Sequence, residues 1–383
     1  MRVLTATSSF PRFAGDYYGK YIFDLSQRLV QRGVEITVLA PRSRSTDDEI
    51  PGLKRFRFMP SKKLETLPEQ TLKRASFEDS LQLPFYLGSS FFNIVQERTD
   101  LVHAHFAIPM GFISALNPRK VPLLITCHGS DCTLPFDAPF YSPFVQFALR
   151  KADRVVAVSK FIRGLALKLG AKHEKTEVVY MGVDIDKFKP PVNKTKLRRE
   201  LGMPNNEIII GSLGRLVTEK RVEDLIRAAP TIEKKIDAHF VIGGEGPQRS
   251  NLEKLAEALQ VRNIQFLGEV RDPARFLQMC DVYVLASIRE GLSVSLQEAM
   301  AAGVVPVAVD GFGCPEVIDD CINGFLFNKM DVEDLTQKIL EATNNLKLGA
   351  KSREKIVEHF NMDRVASRYI EIYHELVSRH RRV

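Results

Sequence analysis

The chain has 383 residues, 44% of them hydrophobic and 26% charged, with a net charge of +7 at pH 7. That composition is typical of a soluble globular protein, and the length exceeds what one hydrophobic core ordinarily serves, so two domains are expected. No apolar run approaches the roughly 20 residues of a membrane-spanning helix, and five cysteines without paired C-x-x-C spacing argue against a disulfide framework or a zinc site.

From the start of the chain, "VLTATS" reads as a short strand running into polar turn residues, not as the apolar core of a secretory signal, and a cytosolic location is expected. Further short β-branched runs follow: "EITVLAP", "LVHAH", "LLITCHG", "RVVAVS" and "EVVYMG", with helical segments between them. Each run is apolar throughout rather than alternating, which predicts a parallel sheet covered on both faces.

Residues 1–175 hold 25 Lys and Arg against 16 Asp and Glu, whereas the remainder holds 29 against 31. Much of the excess lies between Lys54 and Arg74, among Phe56, Phe58, Met59 and Leu64. Such a stretch is either a solvated face or a patch for anionic lipid headgroups or an acidic acceptor, giving peripheral contact with the cytoplasmic membrane face. Nucleic acid is not expected, because no recognised binding motif accompanies the charge.

A boundary is predicted near Gly182 to Pro191, where "MGVDIDKFKPP" mixes turn formers with few periodic apolar positions. A second strand series then begins: "IIIGSLG", "HFVIGGEG", "IQFLGEV", "DVYVLAS", "VVPVAV" and "GFLF". The expected organisation is an α/β chain of two Rossmann-like, doubly wound domains, 1–182 and 183–363, followed by a terminal helix, 364–383. That helix carries apolar residues at helical spacing (Val365, Tyr369, Ile372, Tyr373, Leu376) and a basic end. Doubly wound sheets bind ligands at the carboxyl ends of their strands, so the active site is expected in a central cleft.

Several strand-to-helix turns carry groups suited to a phosphorylated ligand. In "GSLGRLVTEKRVEDL", Arg215 and Lys220 precede a helix; a guanidinium forks onto phosphate oxygens and an ammonium adds a point charge. In "EGLSVSLQEAM", the backbone N–H groups of Ser293 and Val294 lie where a helix starts, and Glu298, a turn further on, suits the two hydroxyls of a ribose. "LLITCHGSD" brings His128 and the nearby Asp131 to the end of a buried strand. The imidazole stands at the rim of the predicted cleft, while His103 and His105 on a neighbouring strand are expected in supporting roles.

Taken together, "GRLVTEK", "GGEGP", "FLGEV", the Glu-x7-Glu element in "SIREGLSVSLQEAMAAGVVPVAV" and "GCPEVIDDCINGFLF" resemble the C-terminal half of the retaining GT-B glycosyltransferases of family 4. "SSFPRFAGDYYGKYIFDLSQRLVQRGVEITVLAP", "DLVHAHFAIPMG", "CHGSD" and "GVDIDKFKP" resemble its N-terminal half in the usual order, so the likeness spans nearly the whole chain. The resemblance implies an acceptor-binding first domain, a second domain for a nucleotide-sugar donor, and a glycan or lipid-linked acceptor. Arg215 and Lys220 match the pair on the donor diphosphate, Ser293 and Val294 the turn amides that also touch it, and Glu298 the ribose-binding acid. Glu290 matches the carboxylate beside the transferred sugar, and His128 the histidine at that sugar, with Asp131 next to it on the acceptor side. Val270 matches a backbone contact to the nucleobase, and Gly15 the first-loop glycine where a side chain would obstruct phosphates and acceptor.

Two departures from the family pattern stand out. Arg221 follows Lys220 where the family usually has glycine, which implies that the turn does not require a glycine conformation and that the added cation lies near the phosphates or in solvent. Gly291, Leu292 and Ser293 replace an aromatic and a second glycine, altering the fit around the donor sugar. With no Asp-x-Asp metal motif near a strand end, no metal or other cofactor is expected. A nucleotide-sugar epimerase and a non-catalytic nucleotide-sugar-binding subunit are the rival readings. The epimerase would need further acids at the sugar, and the inactive subunit is opposed by the presence of His128, Arg215, Lys220 and both glutamates.

Overall fold

The computed structural model describes residues 1–13, 16–42, 53–56 and 77–381. Gly15 and most of the basic stretch, residues 57–74, fall outside the described residues. Two compact units are present, one of Met1–Gly182 with Asp363–Val383, the other of Val183–Met362.

The first unit is built on seven parallel strands: β1 (Arg2–Ala6), β2 (Glu35–Pro41), β3 (Leu53–Phe56), β4 (Leu101–His105), β5 (Leu123–Cys127), β6 (Arg154–Ala157) and β7 (Thr176–Val178). Their order in the sheet is β3-β2-β1-β4-β5-β6-β7. Every residue of β4 and β5 is buried, the signature of a sheet with helices on both faces. The order reverses between β1 and β4, which puts the switch point of this sheet at their carboxyl ends.

The terminal helix Met362–His380 belongs, from Asp363 on, to this first unit. Its Ile372 and Tyr373 are fully buried, and the Tyr373 hydroxyl lies 2.7 Å from His103 Nδ1 on β4. Arg368 donates to Glu177 Oε2 of β7 through both Nε and Nη2, at 2.9 and 2.7 Å, and Arg28 on the helix Lys20–Gln31 donates to Asp363. The helix is therefore part of the first unit's core and not a separate appendage.

Six parallel strands form the second unit: β8 (Ile208–Leu213), β9 (Ala238–Gly243), β10 (Ile264–Gly268), β11 (Val282–Leu285), β12 (Val305–Val309) and β13 (Phe325–Phe327), in the order β10-β9-β8-β11-β12-β13. Here the order reverses between β8 and β11, in register Ile210 with Val282 and Gly211 with Tyr283. The loops that leave the carboxyl ends of these two strands carry Arg215 and Lys220 on one side and Glu290, Ser293 and Val294 on the other. A buried clamp fixes the opposite end of β11: Arg198 donates to the Met279 carbonyl at 2.9 Å and pairs with Asp281, which also accepts from the Ile209 amide at 2.8 Å.

Candidate active site

The second unit's site is assembled from three loops. After β8 the backbone runs through Gly214 and Arg215 into a short 3-10 turn, Thr218–Lys220, and then the helix Val222–Glu233. The loop after β9 lies against it, with Gly214 N donating to Gly243 O at 3.0 Å and Leu216 N to Glu245 O at 2.9 Å. The loop after β11 is tied to the same turn by Ile288 N, which donates to Glu219 O at 2.9 Å.

Arg215 and Lys220 line one pocket, together with Ser212, Gly214, Gly243 and Ser287. Lys220 Nζ donates to Glu290 Oε1, bringing two of the sequence-predicted residues into direct contact. Ser287 is fully buried and its hydroxyl has no hydrogen-bond partner among the described residues, so a polar group is held ready at the pocket lining. Val270 stands just past β10, and its methyl group would lie 2.8 Å from a Cβ built on Gly243, so it packs against the pocket wall.

Ser293 caps the helix Val294–Ala301, its hydroxyl accepting from Leu296 N at 3.4 Å. The amides of Ser293 and Val294 thus occupy the positive end of a helix dipole, as the sequence predicts. Glu298 is half-buried one turn on. Behind the turn sits Tyr283 of β11, fully buried, with its hydroxyl 3.1 Å from Leu213 O and 2.8 Å from Ser295 Oγ. Burial pushes this phenol above its ordinary range, and the charges of Glu290 and Glu298 push it the same way. Sequence reasoning missed Tyr283 and Ser295; a hydroxyl in an otherwise apolar strand was the available signal.

Arg221 corrects a sequence expectation. Its φ of 53° lies in the left-handed region, so the turn does adopt the conformation glycine favours. The guanidinium is bidentate on Asp224, at 2.6 and 3.0 Å, and adds a contact to Glu223 at 2.9 Å. It clamps the first turn of its own helix.

The first unit holds the remaining residues. Asp131 is 3% exposed, and its carboxylate accepts three backbone amides: His128 at 3.1 Å, Gly129 at 2.9 Å and Ala107 at 2.8 Å. Burial pushes its pKa up against the pull of those amides. The carboxylate clamps the His128 turn to the segment after β4.

His128 Nε2 lies 2.9 Å from His105 Nδ1, and the two rings stack with centroids 5.2 Å apart. His103 continues the column, its ring centroid 4.1 Å from that of His105, with its nitrogens at 2.7 Å from the hydroxyls of Tyr373 and Thr126. Burial holds all three imidazoles below the usual range, His105 down to about 3, and keeps them neutral at pH 7. His128 Nδ1 is buried without a partner among the described residues, while Tyr21 and Phe106 pack on its ring.

Comparison with known proteins bears on both units. The family model "Glycosyltransferase Family 4" matches residues 19–187, and "Glycosyl transferases group 1" matches residues 193–359. The chain is 30% identical over 292 residues to the uncharacterised glycosyltransferase MJ1178 of Methanocaldococcus jannaschii, an alignment covering 74% of this chain and 78% of that one. It is 27% identical over 301 residues to the N-acetyl-alpha-D-glucosaminyl L-malate synthase of Bacillus anthracis, covering 76% and 79%. The crystal structure of Anabaena Alr3699/HepE in complex with UDP superimposes with a TM-score of 0.77 at 18% identity, covering 98% of this chain and 100% of that one, a likeness of fold. With both family models in sequence order and two parallel, doubly wound sheets beneath them, the chain belongs to glycosyltransferase family 4 and is a glycosyltransferase of the GT-B fold.

Proposed function

We propose that the chain moves a sugar from a nucleotide-diphosphate donor to a hydroxyl acceptor with retention of configuration. One observation carries this reading: Arg215 and Lys220 line a single pocket at the second sheet's switch point, and Lys220 is paired with Glu290. Arg215 and Lys220 bind the diphosphate, assisted by the amides of Ser293 and Val294. Glu298 accepts from the ribose hydroxyls, and the backbone at Val270 meets the nucleobase. Once the diphosphate shares the charge of Lys220, Glu290 is available to accept from a hydroxyl of the transferred sugar. The likeness to a fold crystallised with UDP supports a nucleotide ligand of this kind.

Transfer breaks the bond between the anomeric carbon and the diphosphate oxygen, and a new bond to the acceptor oxygen forms on the same face. The acceptor proton passes to the departing diphosphate, so no separate base is required. Stabilisation of the leaving charge by Arg215, Lys220 and the turn amides is the dominant contribution. His128 belongs to the sugar side, where its Nδ1 hydrogen-bonds a sugar hydroxyl. These cationic and amide groups meet the leaving charge without a metal. The cation excess of residues 1–175 favours an acidic or lipid-linked glycan precursor as acceptor and peripheral contact with anionic membrane.

The test begins with a thermal-shift panel of nucleoside diphosphates and their sugars, followed by turnover with the best binder and by product NMR to read the anomeric configuration. Arg215→Ala and Lys220→Ala each lower kcat/KM by about 10- to 100-fold, the loss of a charge-assisted contact. Near-normal turnover in both variants refutes the diphosphate assignment, an inverted product refutes retention, and reversible loss of activity with chelator refutes the metal-free mechanism. Equal acceptor use with and without anionic vesicles, at low and high salt, refutes the membrane contact.

A further inference from the structure

Four hydroxyl and carbonyl groups behind the diphosphate turn form one connected chain of hydrogen bonds. Leu213 O only accepts, so the Tyr283 hydroxyl 3.1 Å away donates to it. The same hydroxyl also donates to Ser295 Oγ at 2.8 Å, its proton shared between the two acceptors. Ser295 Oγ lies 3.2 Å from Ser293 Oγ, a bond in which either hydroxyl can donate. Ser293 Oγ in turn takes the Leu296 amide at 3.4 Å, the cap of the helix Val294–Ala301.

Two consequences follow. The Ser293 hydroxyl is engaged by Leu296 N and Ser295 Oγ, so the group Ser293 turns to a ligand is its backbone N–H. And the chain joins the last residue of β8, one position before Gly214 and two before Arg215, to the first turn of that helix. Backbone hydrogen bonds from Gly214 N to Gly243 O, Leu216 N to Glu245 O and Ile288 N to Glu219 O tie the same loops to their neighbours. Tyr283 is 0% exposed and packs in the centre of the strand, so its ring supplies a rigid strut between them.

We infer that Tyr283 is a positioning residue for the donor diphosphate: its hydroxyl, acting through Ser295, holds the Arg215 loop and the Ser293–Val294 amides at the separation the two phosphates require. This rests on the diphosphate reading of the site. A group of this kind touches no substrate. Its contribution is to the geometry of groups that do, where small displacements are costly.

The experiment titrates UDP, GDP and ADP and the matching monophosphates into the wild-type chain, Tyr283→Phe, Ser295→Ala and the double variant by calorimetry, with thermal midpoints alongside. Tyr283→Phe keeps the ring and removes only the hydroxyl. It is expected to weaken the best-bound diphosphate about 5- to 10-fold and the monophosphate less than twofold, so that the preference for the second phosphate collapses. Ser295→Ala is expected to do the same, and the double variant to add little to either. In turnover the loss appears in KM for the donor more than in kcat.

Diphosphate affinity within twofold of wild type in Tyr283→Phe overturns the inference, as does an equal loss for monophosphate and diphosphate, the signature of a merely structural role. If Tyr283→Phe does not fold, Ser295→Ala carries the same decision from the helix side. Arg215→Ala and Lys220→Ala separate the two levels. If they too leave diphosphate affinity unchanged, or if wild type binds none of the three diphosphates, the underlying reading fails. If they weaken it and Tyr283→Phe does not, only the inference fails.

Discussion

Lys220 and Glu290 form an ion pair, so the ammonium assigned to the diphosphate is partly neutralised by the carboxylate assigned to the sugar. The pair is half-buried, and its net worth is on the order of 1 kcal/mol. Glu290→Gln removes the competing charge while keeping the shape. The expected outcome is a diphosphate bound about fivefold more tightly, with turnover lowered by about 100-fold because the amide no longer accepts strongly from the sugar hydroxyl. Calorimetry against the nucleoside diphosphate and steady-state kinetics read the two halves separately. A parallel fall in both would contradict this division of labour.

Arg221 sets a second expectation. Its left-handed backbone costs about 1 kcal/mol relative to glycine, while its bidentate contact satisfies Asp224, whose side chain is only 2% exposed. Arg221→Gly relieves the first and forfeits the second, a net loss of about 1–2 kcal/mol. Arg221→Ala forfeits the pair without relief and should lie about 1 kcal/mol lower still. Urea unfolding ranks the three. Diphosphate affinity is expected to hold in the glycine variant, because the guanidinium is already committed to Asp224.

The fold was legible because buried parallel strands write themselves as short apolar runs. Twelve of the thirteen strands stand in segments such as "LLITCHG" and "DVYVLAS" that the sequence alone identifies. The exception, β3 at Leu53–Phe56, is an edge strand reading LKRF, whose charge made it look like part of a solvated basic stretch. The positions of Arg215, Lys220, Glu290 and Ser293 after strands of the second sheet were readable for the same reason. What local pattern does not encode is pairing across the sheet: that Tyr283 reaches Leu213 and Ser295, that Asp131 spends its oxygens on three amides, that Arg221 turns back onto Asp224. Such contacts depend on register and on which way a side chain leaves its strand. At Arg221 a non-glycine residue points to an ordinary φ, yet the backbone is left-handed, because the pairing with Asp224 that accompanies it is invisible in local pattern.

Gly244 gives a steric prediction. Its φ is +127°, and a Cβ there would lie 1.8 Å from the carbonyl oxygen of Gly214. The backbone fixes the position of that Cβ and the oxygen is itself backbone, so no rotamer change relieves the clash. Gly244→Ala therefore moves the loop after β9 or the loop carrying Arg215, at a cost of about 3 kcal/mol or more. The measurements are the urea midpoint and diphosphate affinity on the folded fraction, both expected to fall. A variant with wild-type stability would show that the two loops are not in the close contact described.

The histidine column makes the acid side of the stability curve predictable. His103, His105 and His128 are held neutral by burial, His105 down to about 3. In the unfolded chain each titrates near pH 6.5. Between those values the unfolded state binds more protons than the folded one, so stability is complete above about pH 6.5 and declines as pH falls below it. Each histidine contributes up to about 1.4 kcal/mol per pH unit to that decline. Thermal midpoints from pH 8 to pH 5 should be flat at first and then fall, and His105→Phe should make the acid limb shallower. Since all three imidazoles are already neutral at pH 7, kcat/KM should show no histidine limb between pH 7 and 9. A limb near pH 7 that disappears in His128→Asn would mean that His128 works as a titrating acid or base, against the role of a neutral hydrogen-bonding group given to it here.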